Sequence, residues 1–589
     1  MLRNILSLLL CVVTIAGISH AADQYAVTFE PNVPVKMRDG VVLHADIYRP
    51  KADGQFPVLL QRTPYNKDSG FKFGLEAASH GYVVIIQDVR GRYTSEGEWY
   101  TFKHEPNDGY DTVEWAAALP YSNGKVGMFG GSYVGATQML AAIAHPPHLA
   151  GICPVVTASN YHENWTYQGG AFEQWFDESW TSGLAQNTLD RKIDDETNAV
   201  KGDSQLPLAN YPLFNFSELR TSSLIPALAP YFLDWLAHPG YDDYWKQWSI
   251  EEHFGDVTVP ALTVAAWYDI FQGGSLRNYM GLKVHGGTES ARGGQHLIVT
   301  IGGHAGSGRK IGDVDFGPAA ADFSENKIIL AWYDYLFKGV QNEFTQKPVK
   351  IFVMGANQWR QEDGWPLARA HNTKYFLHSQ GSANSLSGNG SLSTDAPHSE
   401  PSDHYVYDPS NPVPTIGGPL CCDAIHLEPG PRDQRPDESR NDVLVYSTPA
   451  FSQDVEVTGP VSLELYASSS AVDTDFTGKL VDVGPDGFAR NLTEGIIRAR
   501  YRDSREQASL LKPGQAYKFS LDLWSTSNVF LKGHTLRLEV SSSNFPRFDR
   551  NLNTAESPES GHKFVSANNV IYHDAQHPSA LVLPIVPSE

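Results

Sequence analysis

The chain reads as an α/β protein: an α/β sheet domain interrupted by a helical insertion and followed by an all-β domain. Three observations predict this. Strand-like and helix-like runs alternate from Val33 to about Ala158 and again from about Ile250 to Gly339, the signature of a largely parallel sheet with helices on both faces. Residues 160–249 lose strand alternation and become rich in aromatic side chains. After residue 345 helical periodicity nearly vanishes, and short alternating runs are separated by Gly, Pro, Ser and Asn clusters, as in antiparallel sandwiches.

In chain order, Val41–Tyr48, Val58–Gln61, Tyr82–Asp88 and Val126–Phe129 have strand patterns, with helical runs at Gly74–His80, Gly109–Ala118 and Ala136–Ala144. Pro260–Tyr268 and His296–Ile301 are apolar enough to be buried strands. Between them Trp165, Tyr167, Phe172, Trp175, Phe176, Trp180, Phe232 and Trp235 fall in stretches read as inserted helices, which an insertion after a central strand would hold over a site as a cap. Lys350–Met354, Val443–Ser447, Val461–Tyr466, Tyr517–Leu523 and Leu536–Ser541 are the expected sandwich strands, and Gly381–Pro397 a loop without core-forming content. The expected division is therefore 22–159 with 250–345 for the sheet domain, 160–249 for the cap, and 346–589 for the all-β domain.

A chain of 589 residues exceeds a single core, and 41% hydrophobic residues supply ample material for several. A formal net charge of −22 argues against a nucleic-acid partner, which needs clustered cations. Residues 1–21 carry one basic residue, Arg3, an apolar stretch from Ile5 to Gly17, and Ser19-His20-Ala21 with small residues where a signal peptidase reads. This predicts a cleaved secretory leader and an exported protein, periplasmic or extracellular, without a membrane anchor. Cys153, Cys421 and Cys422 then remain, too few for a disulfide framework. For the adjacent pair the expectation is two reduced buried thiols acting as small apolar side chains, with a strained vicinal disulfide as the alternative.

The chemistry concentrates at strand ends. Ser132 follows the apolar run Val126–Phe129 and precedes a helix, within Gly130-Gly131-Ser132-Tyr133-Val134-Gly135. A serine on so sharp a strand-to-helix turn presents its hydroxyl above the sheet, and the helix start aims free N–H groups at an arriving acyl oxygen. α/β-hydrolases take their acid and histidine in the order Ser, Asp, His from turns after later strands. Asp269 follows Pro260–Tyr268, and His304 follows the next strand through Gly302-Gly303. Each residue alone is ordinary; the ordered set at successive strand ends points to nucleophilic catalysis with no metal or organic cofactor.

Longer words carry a resemblance. Thr63-Pro64-Tyr65, Gln87-Asp88-Val89-Arg90-Gly91, Ser95-Glu96-Gly97, Gly127 to Gly135, Trp267-Tyr268-Asp269 and Gly303-His304 stand in the first part of the chain. Asp433-Gln434-Arg435-Pro436, Ala471 to Thr477 and Ser543 to Asn551 stand in the last third. In these words and their order the chain resembles the X-prolyl dipeptidyl-peptidase and cocaine-esterase-like serine hydrolases over nearly its whole mature length. That family's own elbow, G-x-S-Y-x-G, accounts for glycine arriving at position 135 rather than 134.

The resemblance implies an α/β-hydrolase domain, a helical cap and a C-terminal β jelly roll meeting at the site. It implies Ser132 as nucleophile, His304 as general base and acid, and Asp269 as the group orienting His304. It also implies an oxyanion hole built from the Tyr65 hydroxyl and the Tyr133 backbone N–H. Phe271 aligns with an aromatic bordering the acyl pocket, Trp165 is a candidate pocket wall from the cap, and Cys421 and Cys422 fall where relatives carry larger apolar pocket residues. Smaller side chains there suggest an acyl group bulkier than, or different from, benzoyl. The related α-amino acid ester hydrolases read an ammonium with carboxylates just after the catalytic aspartate; here those positions are the neutral Phe271 and Gln272, and the cap offers Glu163-Asn164. The leading expectation is thus an acyl esterase acting on a small ester, amide or short peptide. The alternatives are an X-prolyl dipeptidyl-peptidase, anchored through Glu163, Glu173 or Asp177, an α-amino acid ester hydrolase, and an inert protein that binds through its jelly roll.

Overall fold

A computed structural model describes residues 24–194, 225–304, 306–556, 561 and 563–587; the leader expected at 1–21 lies outside them. The first sheet has ten strands: β1 (Val27–Lys36), β2 (Val42–Pro50), β3 (Phe56–Thr63), β4 (Val83–Asp88), β5 (Ser122–Gly131), β6 (Leu149–Val155), β7 (Ala261–Tyr268), β8 (Gln295–Gly303), β9 (Val349–Val353) and β10 (Gln358–Glu362), in the order β1-β2-β4-β3-β5-β6-β7-β8-β9-β10. From β4 across to β9 every neighbouring pair is parallel, and the edges are closed by antiparallel partners.

Parallel strands are buried on both faces, which explains the unbroken apolar run Val83-Val84-Ile85-Ile86 in β4. The pleat then sorts neighbours to opposite sides: Val58 and Leu60 join the core under helices α2 (Glu105–Ala117) and α3 (Tyr133–Ile143), while Leu59 joins the core under α1 (Phe71–Ser79) and the later helix Glu325–Lys338. Val41–Tyr48 and the other expected sheet strands have counterparts, but β1 carries no clear alternation and was not foreseen from the sequence.

Within the insertion, Trp165, Tyr167 and Phe172 sit not in helices but in a loop and a short hairpin, Tyr167–Gln168 against Ala171–Phe172. Helix α4 (Gln174–Asp194) follows, and Pro230–Ala237 (α5) comes after residues that lie outside the described set. No helix among the described residues is long and apolar enough to cross a membrane.

The C-terminal region is β-rich, with eleven strands between His371 and Val586 in one extended hydrogen-bonded system. Two expectations are corrected here. Lys350–Met354 is not a sandwich strand: Val349–Val353 pairs in parallel with β8 and closes the first sheet with β10. A five-residue apolar alternation identifies a strand, not the sheet it joins, so the first sheet runs past residue 345 to Glu362. The Gly381–Pro397 segment contributes strand Ser391–Ser393, with Leu392 buried in the β core.

Candidate active site

Ser132 occupies the turn between β5 and α3 with φ 61° and ψ −130°, a region that side chains other than glycine's disfavour. The neighbouring glycines make the turn possible. A Cβ on Gly135 would lie 2.7 Å from the Thr157 Cβ, and Gly130 has φ 125° with the Val134 side chain where its Cβ would go. His304 Nε2 lies 2.9 Å from Ser132 Oγ, and His304 Nδ1 lies 2.7 Å from Asp269 Oδ2. The other carboxylate oxygen of the fully buried Asp269 accepts the Phe271 backbone N–H at 2.7 Å. That bond fixes which oxygen faces the imidazole.

Tyr65 stands at the end of β3, partly buried against the cap. Burial raises its phenol pKa, opposed by hydrogen bonding with the Ser132 hydroxyl, the Trp180 indole and the Tyr133 backbone amide. The phenol therefore stays neutral and able to donate. The Tyr133 ring points the other way: its hydroxyl accepts the Phe102 N–H at 2.7 Å and donates to Glu105 Oε1 at 3.2 Å, which holds the first turn of α3 in place. Asp269, His304, Ser132, Tyr65 and the Tyr133 amide, far apart in the chain, thus meet at the carboxyl edge of the sheet.

The surroundings of the relay are aromatic. Phe271 stands edge-on to the His304 imidazole at 5.2 Å and stacks on Trp165 at 4.5 Å. Phe176 and Trp180 from α4 complete the cluster, Phe176 against Phe271 at 5.4 Å and Trp180 against Trp165 at 5.5 Å. Neither α4 residue was assigned to the site from sequence, which named only Trp165 among the cap aromatics. Cys421 joins the same buried cluster. Cys421 and Cys422 are bonded as a disulfide, and Cys422 is exposed. This corrects the expectation of two reduced thiols side by side in the wall: the chain turns at Cys422, which has φ 78°, so the bonded pair has one buried member, Cys421, and one exposed member, Cys422. Among the described residues no group of three or more His, Cys, Asp or Glu side chains is placed to hold a metal.

Against this geometry the comparisons are specific. Residues 39–306 match the family model of the X-Pro dipeptidyl-peptidase (S15 family), and residues 342–582 match the X-Pro dipeptidyl-peptidase C-terminal non-catalytic domain. The cocaine esterase of Rhodococcus sp. (strain MB1 Bresler) is 40% identical over 582 residues, covering 94% of this chain and 98% of that protein. The chain belongs to the X-Pro dipeptidyl-peptidase and cocaine-esterase-like family of serine hydrolases. Among solved structures, this family member superposes on an aminopeptidase from a marine sediment archaeon, Thaumarchaeota archaeon, with TM-score 0.81 at 25% identity over 96% of this chain and 97% of the other. It also superposes on an α-amino acid ester hydrolase with TM-score 0.77 at 23% identity over 98% and 100%; the latter likeness speaks for the fold.

In this serine hydrolase the family words of the last third form the joint that seats the cap. Arg547, fully buried, holds Glu494 Oε1 at 2.5 Å, Gln168 Oε1 at 3.0 Å and Glu173 Oε1 at 3.4 Å. Asp549 accepts the Phe172 N–H at 2.9 Å and pairs with Arg498, which also holds Asp475. Burial pushes the Glu173 carboxyl up to about 7, the Arg547 charge only partly opposing it. Between the ordinary glutamate value and about 7 the folded protein therefore holds a proton that the unfolded chain releases, so this group's contribution to stability is full below pH 4.5 and is lost as pH rises through 7. Glu173→Gln, which mimics the neutral acid, is expected to match wild-type stability at pH 4.5 and to exceed it by about 2–4 kcal/mol at pH 8. Denaturant unfolding at the two pH values measures the difference.

Proposed function

We propose that this enzyme is an exported esterase that cleaves carboxylic esters with an apolar, ring-bearing acyl group through an acyl-enzyme. The observation that carries the reading is the continuous relay Asp269, His304, Ser132 facing the Tyr65 phenol and the Tyr133 amide. Ser132 Oγ attacks the acyl carbon as His304 Nε2 takes its proton, Asp269 stabilising the imidazolium through Nδ1. The resulting oxyanion receives hydrogen bonds from Tyr65 and the Tyr133 N–H. His304 returns the proton to the leaving alkoxide, and water then repeats the cycle in reverse order to free the acid and Ser132. Trp165, Phe176, Trp180 and Phe271 support the acyl preference, since flat apolar groups pack well between such rings. The leader-like residues 1–21 support export.

A second reading, a peptidase that anchors a free N-terminus, is favoured by one observation. Asp177 on α4 is fully buried, and neither carboxylate oxygen has a hydrogen-bond partner among the described residues. The other two candidate anchors are engaged elsewhere: Glu173 faces Arg547, while Glu163 accepts the Gly169 N–H at 2.9 Å and borders a separate cavity of about 520 Å³. Turnover of aryl-acyl esters is compared with that of an Ala-Pro anilide and its N-acetylated form. The esterase reading expects esters to be turned over fastest and acetylation to change little. Preference for the free-amine anilide, lost on acetylation and in Asp177→Asn, would establish the peptidase instead.

A further inference from the structure

We propose that Trp180 is a positioning residue for the oxyanion hole: its indole N–H occupies an acceptor lobe of the Tyr65 oxygen and so turns the phenolic hydrogen toward the acyl oxygen. The inference rests on the role of Tyr65 as oxyanion donor given above. Trp180 Nε1 lies 3.0 Å from the Tyr65 oxygen. An indole N–H can only donate, so in this bond the phenol oxygen accepts and its single hydrogen must go elsewhere. The remaining polar groups around that oxygen are the Ser132 hydroxyl and the Tyr133 amide. The amide is also a donor, which leaves the space beside Ser132, where the oxyanion forms, as the outlet for the phenolic hydrogen. A donor behind the oxygen also polarises the O–H and strengthens the bond it gives.

The indole is rigidly held. It is 5% exposed and packs between the Tyr133 ring at 5.8 Å, the Trp165 ring at 5.5 Å and the Trp235 ring at 6.3 Å. A second tie fixes α4 against the turn that carries Tyr65. Arg92, 1% exposed, donates from Nε to the Pro64 carbonyl at 3.0 Å and from Nη1 to the Leu184 carbonyl at 2.8 Å, one helical turn beyond Trp180. The cap thus completes the oxyanion hole rather than merely covering it.

An interaction that matters only when negative charge develops on the acyl oxygen acts on kcat and spares KM. The test is a double-mutant cycle with Tyr65→Phe and Trp180→Phe, read as kcat and KM on one aryl-acyl ester. Tyr65→Phe is expected to lower kcat about 100-fold or more. Trp180→Phe is expected to lower kcat about tenfold in the wild-type background, and to lower kcat no further once Tyr65 is Phe, because its target is gone; its effect on KM reports the smaller aromatic wall and is the same in both backgrounds. Benzothienylalanine at position 180, which keeps the bicyclic shape without the N–H, should reproduce the loss, and it stands in for Trp180→Phe if that variant fails to fold. Equal effects of the Trp180 change on kcat in both backgrounds, a change confined to KM, or full activity with benzothienylalanine would each overturn the proposal and leave Trp180 as a pocket wall. An unaltered kcat in Tyr65→Phe would instead remove the oxyanion role of Tyr65, and the inference with it.

Discussion

Ser132→Gly is expected to abolish turnover and yet to make the protein more stable. The chemical loss is the larger effect, about 10⁴–10⁶-fold in kcat, because without Oγ the relay has nothing to activate and only binding and the oxyanion donors remain. The stability gain comes from the backbone. At φ 61° and ψ −130° a side chain is held in a region glycine enters freely, a strain of about 1–3 kcal/mol. Glycine also gives the unfolded chain more freedom, which takes back about 0.4–1 kcal/mol. The net is a gain of about 1 kcal/mol. Ser132→Ala separates the two terms: it should lose turnover and labelling by a fluorophosphonate equally, but keep the strained turn and show no gain. If the glycine variant is no more stable than the alanine variant, the turn is not under strain and the nucleophile is held there without cost.

That strain is legible in the sequence only as composition. Gly130, Gly131 and Gly135 around one serine show that the chain bends sharply there, and the apolar run before it shows that the bend ends a buried strand. The same logic exposed Asp269 and His304, because parallel strands buried on both faces leave continuous apolar runs whose carboxyl ends can be read directly. What the sequence did not show depends on which partner a segment meets. Val349–Val353 has the pattern of any strand, and only its hydrogen bonds to β8 assign it to the first sheet. Cys421 and Cys422 differ in exposure because of the course of their loop, and composition carries no such information. Trp180 and Tyr65 are 115 residues apart, on elements whose contact is decided by how the cap docks. The cap aromatics at 165, 176 and 180 are spaced as core residues would be, and here the cap's core and the aromatic surround of the relay are one cluster. Seating that cluster depends in turn on Arg547 and Asp549, more than 350 residues further on, so the C-terminal region contributes to the site by fixing the cap without supplying a reacting group.

Asp269→Asn is expected to lower kcat about 10⁴-fold with the fold and the fluorophosphonate-accessible serine still in place. The reason lies in the fixed orientation of the carboxylate. In the native protein Asp269 Oδ1 accepts the Phe271 N–H and Oδ2 faces His304 Nδ1, so Nδ1 carries the hydrogen and Nε2 is free to take the proton of Ser132. An asparagine at 269 must place its carbonyl oxygen on the Phe271 N–H, since turning the amide would set two donors against each other in a fully buried position. Its NH₂ then points at Nδ1, which must become the acceptor. The hydrogen moves to Nε2, directed at Ser132 Oγ, and the imidazole can no longer act as base. The variant should therefore bind ester with near-native KM, show its loss in kcat, and label slowly with a fluorophosphonate. If the amide were free to turn, a fraction of molecules would keep the native tautomer and the loss would shrink to a few tens. The tautomer itself checks this cause: nitrogen NMR of His304 in Asp269→Asn is expected to show the hydrogen on Nε2 and none on Nδ1, and a native Nδ1–H pattern would show that the Phe271 N–H does not set the orientation.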